Sequence, residues 1–241
     1  KLEVLAHPVA KLKVDKSKQC LRGNEFVFED NISTAVSGSS LKTYKWIFDY
    51  GSSTSSAKPD TADGKGLHKV KYNSVGSKTV QYRIMDNNGC WDTVKTTVDV
   101  LAHPIAKLSV DTSKRCLRGN EFNYRASSST AVGGSTLSRY NWVFDFGSST
   151  SSATPSTITG IGTHKVKYSS SGVKTARLTV KDTNGCWDTI TSKIEVLAHP
   201  VAKMTVNKDT QCLRGNEFLF RDTSVSVSGS VISRYNWSFD T

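Results

Sequence analysis

The feature that most constrains this chain is a tetrapeptide, Leu-Ala-His-Pro, which occurs at 5–8, 101–104 and 197–200, each copy 96 residues from the last. A fixed period of that size marks a tandem array whose copies are structural units. Residues 7–102 align with 103–198 without a gap, and the third copy lacks one residue between Phe218 and Trp237. The chain therefore reads as four parts. Residues 1–6 are the last strand of a preceding repeat, 7–102 and 103–198 are two full repeats, and 199–241 is the opening of a third. On this reading the sequence is a window on a longer array. A unit of 96 residues can bury roughly 60–65% of its unfolded surface, enough for a modest core of its own.

Inside a repeat the hydrophobic period is two, and no helical period occurs. Ala10, Leu12 and Val14 alternate on a first strand, and Phe26 and Phe28 face inward from a second. Tyr44, Trp46 and Phe48 share one face of a third, with Lys45 and Asp49 opposite. The polar run Gly51–Gly66 reads as a long loop or a weak edge strand. His68, Val70 and Tyr72, then Val80, Tyr82 and Ile84, then Val94, Val98 and Val100 complete the pattern. Seven short strands in such a repeat predict an all-β fold, an immunoglobulin-like β-sandwich repeated end to end as a rod. Trp46, Trp142 and Trp237 belong to the core on this alternation. Trp91 and Trp187 follow the turn between the last two strands and are expected at an interface.

Composition excludes more than it assigns. The formal charge is +11, with Lys and Arg scattered singly as on a solvated strand face, and no nucleic-acid motif accompanies them. No apolar run approaches 18 residues, so no membrane insertion is expected in this segment. Gly-x-Ser-x-Gly, His-Glu-x-x-His and Gly-rich phosphate loops are missing, and identical active sites repeated along a rod serve no purpose, so the chain is read as no enzyme. His7, His103 and His199 come one per repeat without an acidic or Cys neighbour at ligand spacing, and no Asp-x-Asp-x-Asp run occurs. Neither a metal nor another cofactor is expected. Five cysteines fall at two repeat positions: Cys20, Cys116 and Cys212, then Cys90 and Cys186. Two thiols per small β unit argue for disulfides and an extracytoplasmic location.

Three segments are identical between copies: Leu-Ala-His-Pro, Cys-Leu-Arg-Gly-Asn-Glu-Phe and Asn-Gly-Cys-Trp-Asp-Thr. Tyr-x-Trp-x-Phe on the third strand, Gly76 before the sixth, and Asp-x-x-Gly-Cys at the last turn make the chain resemble PKD domains. PKD members carry Trp-x-Phe-Gly-Asp-Gly, where this chain has Trp46-Ile-Phe-Asp-Tyr-Gly51 and Trp142-Val-Phe-Asp-Phe-Gly147. That departure questions the turn after the third strand, not the fold. Cysteine-bearing arrays of this kind are similar to those of the giant cell-surface gliding adhesins of Bacteroidetes. The resemblance implies a secreted, cell-surface stalk or spacer within an adhesin filament, supporting adhesion and gliding motility. Its implied partners are neighbouring repeats of the same chain, surface polysaccharide and other adhesin-complex proteins. The alternative is a polysaccharide- or protein-binding accessory module of a secreted hydrolase.

In a sandwich of this topology Cys20 lies at the end where the first strand passes to the second, and Cys90 at the opposite end, about 20 Å away. A disulfide spans a Cα–Cα distance of about 7 Å at most. In an end-to-end array Cys20 instead meets Cys186 of the next repeat, and this inter-repeat bridge is the favoured pairing. Intra-repeat bridges, Cys20–Cys90 and Cys116–Cys186, stay open if the segment before the second strand folds back. The same junction should gather His7, Pro8, Arg22, Trp91, Asp92, His103, Pro104, Arg118, Trp187, Asp188, His199 and Pro200, with Arg22 paired to Asp188.

Overall fold

The computed structural model describes every residue except Lys1, Asn31, Ser228, Gly229, Asp240 and Thr241. Lys1, Asp240 and Thr241, at the ends of the expected opening strand and third repeat, thus lie outside the described residues, while Leu2–Ala6 are exposed and form no strand, having no paired neighbour among the described residues.

In the first repeat the period-two runs become strands, and two sheets share their apolar faces. One sheet is made by β1 (Lys13–Val14), β3 (Phe26–Asp30), β7 (Gly66–Tyr72) and β5 (Ala57–Lys58), hydrogen-bonded in the order β1-β3-β7-β5. The other runs β2-β9-β8-β4-β6, from β2 (Lys18–Cys20), β9 (Trp91–Leu101), β8 (Gly76–Asp86), β4 (Leu41–Phe48) and β6 (Thr61–Asp63). All pairings within these sheets are antiparallel save that of β2 with β9, where Lys18, Gln19 and Cys20 run parallel to Asp99, Val100 and Leu101. Between the sheets lie Phe26, Phe28, Trp46, Phe48, Val70, Val80, Tyr82 and Ile84, all essentially inaccessible. Trp46 stacks on Tyr82 at 3.9 Å between ring centres, so the aromatic pair locks the middle of the core.

The second repeat forms β10 (Ser109–Val110), β12 (Phe122–Arg125), β16 (Thr163–Tyr168) and β14 (Ala153–Thr154) in one sheet. Its other sheet is built from β11 (Lys114–Cys116), β18 (Trp187–Leu197), β17 (Gly172–Asp182), β13 (Leu137–Phe144) and β15 (Thr157–Thr159). In the third repeat β19 (Met204–Val206) pairs with β20 (Phe220–Asp222). The chain divides into two compact units. The first comprises 1–105, 130–138 and 181–188, the second 106–129, 139–180 and 189–241.

Three expectations are corrected. The run Gly51–Gly66 is neither a plain loop nor one edge strand: β5 extends the first sheet and β6 the second, so the chain changes sheets between Lys58 and Thr61. Asp49 is not on the solvent face opposite Trp46 but buried. It follows the last residue of β4 in a left-handed conformation, φ +62°, which breaks the alternation, and Asp145 repeats this at +59°. These aspartates occupy the position where PKD members carry glycine. Asp tolerates that region better than most residues, and its carboxylate is then held by Ser56 N–H and Oγ at 2.8 and 2.7 Å and faces Lys78 Nζ at 3.7 Å. Finally, Trp237 is 43% exposed where Trp46 and Trp142 are 1%. Among the described residues the third repeat contributes the two-stranded sheet β19-β20, and no second sheet packs over Trp237.

Candidate functional site

The identical segments turn out to be the residues that fix how chain ends meet at a repeat boundary. Gly23, at φ +78°, reverses the chain after Arg22; a side chain there would be strained. Asn24 then ties the reversed loop to β7. Its amide nitrogen donates to Leu21 O and Tyr72 O at 2.6 and 2.8 Å, and its Oδ1 accepts from Tyr72 N–H at 2.7 Å. Asn120 makes the same three bonds in the second repeat. On the other side, Leu21 N–H donates to Leu101 O at 2.9 Å. Cys20 and Arg22 are thereby presented from a loop anchored on both sheets.

The facing element is the Asn-Gly-Cys turn. Asp182 Oδ1 accepts from Cys186 N–H at 2.8 Å, and Gly185 takes φ +86°. Asp86 caps the equivalent turn through Asn88 and Cys90 N–H. These caps position the cysteine and the Trp-Asp pair that follows it.

Within the first compact unit these two elements are joined. Cys20 and Cys186 form a disulfide with a Cα–Cα distance of 5.5 Å, closing 166 residues of sequence. Arg22 Nη2 lies 3.7 Å from Asp188 Oδ1, its guanidinium sits 4.7 Å from the centre of the Trp187 ring, and Arg22 N–H donates to His103 Nε2 at 2.8 Å. Leu101 and His103 belong to the repeated Leu-Ala-His-Pro strip, so this strip is hydrogen-bonded into the boundary. The intra-repeat pairing Cys20–Cys90 is not formed, and the reason is geometric. Cys20 is paired with Leu101, the last residue of β9, whereas Cys90 precedes the first. Eleven steps along a strand separate them by roughly 36 Å. Cys116 is likewise unbonded to Cys186: Cys90 is a half-buried thiol, and Cys116 and Cys212 are exposed thiols.

Magnitudes rank the contacts. Closing a loop of this length in the unfolded chain is worth about 5 kcal/mol in the chain-entropy treatment. The Arg22–Asp188 pair, half exposed, is worth about 1 kcal/mol or less, and the Arg22–Trp187 contact about 0.5–1 kcal/mol. The disulfide sets the strength of the junction, and Arg22 sets its register.

The other expected junction residues are distributed differently. Asp92 Oδ2 accepts from Ala10 N–H at 2.8 Å, so in the first repeat it holds the entry of the chain to its own last turn. Pro8 and Pro104 are buried and Pro200 is exposed. His7 is exposed, its Nδ1 2.8 Å from Pro8 O. His199 Nε2 is buried without a hydrogen-bond partner among the described residues. Trp91 is 54% exposed with the Arg83 guanidinium 4.2 Å from its ring centre, and Arg118 is exposed.

Two core features escaped sequence reasoning, although comparing the repeats signals both. Asp30, buried, accepts from the Tyr82 hydroxyl and from Ile32 and Ser33 N–H. Burial pushes its carboxyl up, but these bonds, led by Tyr82, outweigh it and hold the group below the usual carboxylate range. The second repeat has Ala126 and Leu178 at the same two positions, an apolar replacement of the pair. Conversely, Tyr168 Oη lies 3.0 Å from Tyr124 Oη, whereas the first repeat has Phe28 at that place and leaves Tyr72 Oη buried without a hydrogen-bond partner among the described residues.

Among the described residues no group of three or more His, Cys, Asp or Glu side chains is placed to hold a metal ion, and no helix is long and apolar enough to cross a membrane.

No protein-family model matches this chain, and no curated protein matches it. Among solved structures it is similar to the fibronectin(III)-like modules of Clostridium thermocellum CbhA, at 12% identity over 78% of this chain and 95% of that one, with a TM-score of 0.34. It is also similar to a C-terminal fragment of intimin in complex with the intimin-binding domain of its translocated receptor, at 12% identity over 84% of this chain and 67% of that one, TM-score 0.41. A third is the S-layer protein SbsC, domains 4 and 5, at 17% identity over 79% and 99%, TM-score 0.29. Likenesses of this size carry no weight for function; the immunoglobulin-like assignment rests on the two-sheet topology and the core described above.

Proposed function

We propose that this chain is a stalk: a series of PKD-type sandwiches that holds an adhesive region away from a bacterial surface, in the manner of a gliding adhesin, and catalyses nothing. The observation that carries the reading is the Cys20–Cys186 bond. The residues repeated without change are spent on joining one repeat to the next, not on lining a cleft. A disulfide of this kind belongs to an extracytoplasmic protein, which agrees with a surface location. A second reading, polysaccharide binding, draws on Trp91 and Trp187, which keep 54% and 47% of their surface exposed beside arginines.

Small-angle scattering tests the stalk. At roughly 40 Å per repeat, two and a half repeats in line give a radius of gyration of about 30 Å, against about 18 Å for a globular chain of this length. A value near the globular figure overturns the proposal. Saturable binding of the oxidised protein to a defined surface polysaccharide moves the assignment to the second reading.

A further inference from the structure

The joint closed by Cys20 and Cys186 has both of its halves in this chain, and one of its bonds runs to a group that titrates. Two successive amides of the Cys20 segment reach the seam: Leu21 N–H donates to Leu101 O at 2.9 Å, and Arg22 N–H donates to His103 Nε2 at 2.8 Å. The first acceptor is a carbonyl and keeps its lone pairs at every pH. The second is an imidazole, which accepts only while Nε2 is unprotonated and the ring proton sits on Nδ1. We propose that His103 is an acid-sensitive latch on this joint: neutral, it holds the backbone at Arg22, and protonated, it releases that backbone and competes for the carboxylate that Arg22 uses.

The surrounding charges give protonation its consequence. Arg22 Nη2 lies 3.7 Å from Asp188 Oδ1, and the guanidinium sits 4.7 Å from the centre of the Trp187 ring. An imidazolium at 103 sets a second cation beside Arg22, with Nε2–H facing Arg22 N–H, two donors with no acceptor between them. Asp188 is the carboxylate at hand to answer it, and what His103 draws from Asp188 is lost to Arg22. The other charged groups on the elements that meet here are engaged or add only positive charge. Glu25 pairs with Lys69 and Lys71, and Lys18 pairs with Asp99. Asp182 accepts from Cys186 N–H and from the Ser135 hydroxyl, and Lys181 is exposed on the same turn. Residues 130–138, and the seam at 101–105 apart from His103, carry no charged side chain. Arginine stays charged throughout and a disulfide has no proton to lose, so between about pH 5 and 8 the imidazole is the member of this group whose charge changes.

The sign follows from the bond. It belongs to the neutral ring, so it is present above the imidazole's titration and lost as pH falls through it. The Cys20–Cys186 link persists in acid, and what goes is the register that Arg22 sets. A stalk built on such joints is stiff near neutrality and slack in acid, without coming apart. This inference goes beyond the stalk reading, and its test reads the joint itself, whatever the stalk carries.

The test is hydrogen exchange by NMR on the full oxidised protein at about pH 7.5 and about pH 5.5, on either side of the ordinary imidazole titration. Each amide's rate is normalised to that of an unstructured chain at the same pH. Protection of the Arg22 amide should fall about three- to tenfold in acid, the worth of one hydrogen bond. The amides of Leu21, bonded to Leu101 O, and of Tyr72, bonded to Asn24 Oδ1, should keep theirs. His103→Gln supplies an amide oxygen that accepts at either pH and should hold the Arg22 amide protected at both, whereas His103→Phe should leave it unprotected at both. Long-range proton–nitrogen spectra at the higher pH should show His103 as the Nδ1–H tautomer. An unchanged Arg22 amide in the parent, a parallel loss at Leu21 and Tyr72, the same acid loss in His103→Gln, or the Nε2–H tautomer overturns the proposal.

Discussion

Pulling the chain by its two ends converts the disulfide into a length. With Cys20 bonded to Cys186, the 166 residues of separation between them are bypassed by a link whose Cα atoms are 5.5 Å apart. At about 3.5 Å per extended residue, reduction should release roughly 580 Å of additional contour length. Intra-repeat bridges would hide 70 residues in each of two loops, and reduction would then release only about 490 Å. The Cys90→Ser variant separates the schemes further. If Cys20 is bonded to Cys186, the variant keeps the full increment. If Cys20 were bonded to Cys90, the increment would fall to about 245 Å, from the Cys116–Cys186 loop alone. Single-molecule force spectroscopy with and without reductant reads these lengths directly. An increment near 245 Å in Cys90→Ser refutes the reasoning, and so does no increment at all in the parent.

Three further outcomes follow from the core. Phe28→Tyr supplies the hydroxyl that the second repeat has in Tyr124, so it should satisfy Tyr72 Oη and stabilise the first repeat by about 1 kcal/mol in chemical denaturation; a loss of stability argues against the unpaired hydroxyl. Asp49→Ala leaves Lys78 buried without its carboxylate at a left-handed position, and should cost about 3–5 kcal/mol, recovered in large part by Asp49→Gly combined with Lys78→Met. Asp30, Asp49 and Asp145 are held below the ordinary carboxylate range: burial opposes this, but hydrogen bonds from Tyr82, Ser56 and Ser152 and the cations Lys78 and Lys174 prevail. Their stabilisation is therefore complete above the unfolded-chain value near 4 and is lost as pH falls through the lower folded values. Replacing Asp30 and Tyr82 by the second repeat's Ala and Leu should flatten the part of the acid-unfolding profile that belongs to the first repeat, and an unchanged profile contradicts the assignment.

What was legible in the sequence was whatever repeats with period two or period 96. Phe26, Phe28, Trp46 and Tyr82 announce inward faces because alternate residues of a strand share one side. Strand direction favoured the Cys20–Cys186 pairing without deciding it: an odd number of crossings puts the first and last turns at opposite ends, but a folded-back segment before the second strand left Cys20–Cys90 open until the bond was seen. Short elements were not legible. β5 and β6 hold two and three residues, too few to show a period, so the change of sheet between them left no signal. Asp49 was misplaced because parity counting assumes an extended chain, and one left-handed residue resets it. The roles of Asn24, Asp86 and Asp182 were hidden for another reason: their carbonyl and N–H partners lie in turns or, for Asn24, also at the end of β7, and these come within reach only once the sheets are assembled. The exchange of Asp30 and Tyr82 for Ala126 and Leu178 was visible between repeats, but only the packed core explains why the two positions change together.

The central claim is that the unchanged segments of the repeat join neighbouring repeats covalently, and peptide mapping under non-reducing conditions tests it most directly. Digestion of the oxidised protein, with free thiols blocked beforehand, should yield one cross-linked peptide pair containing Cys20 and Cys186, with Cys90, Cys116 and Cys212 recovered in blocked form from the monomer. Peptides joining Cys20 to Cys90 and Cys116 to Cys186 would contradict it.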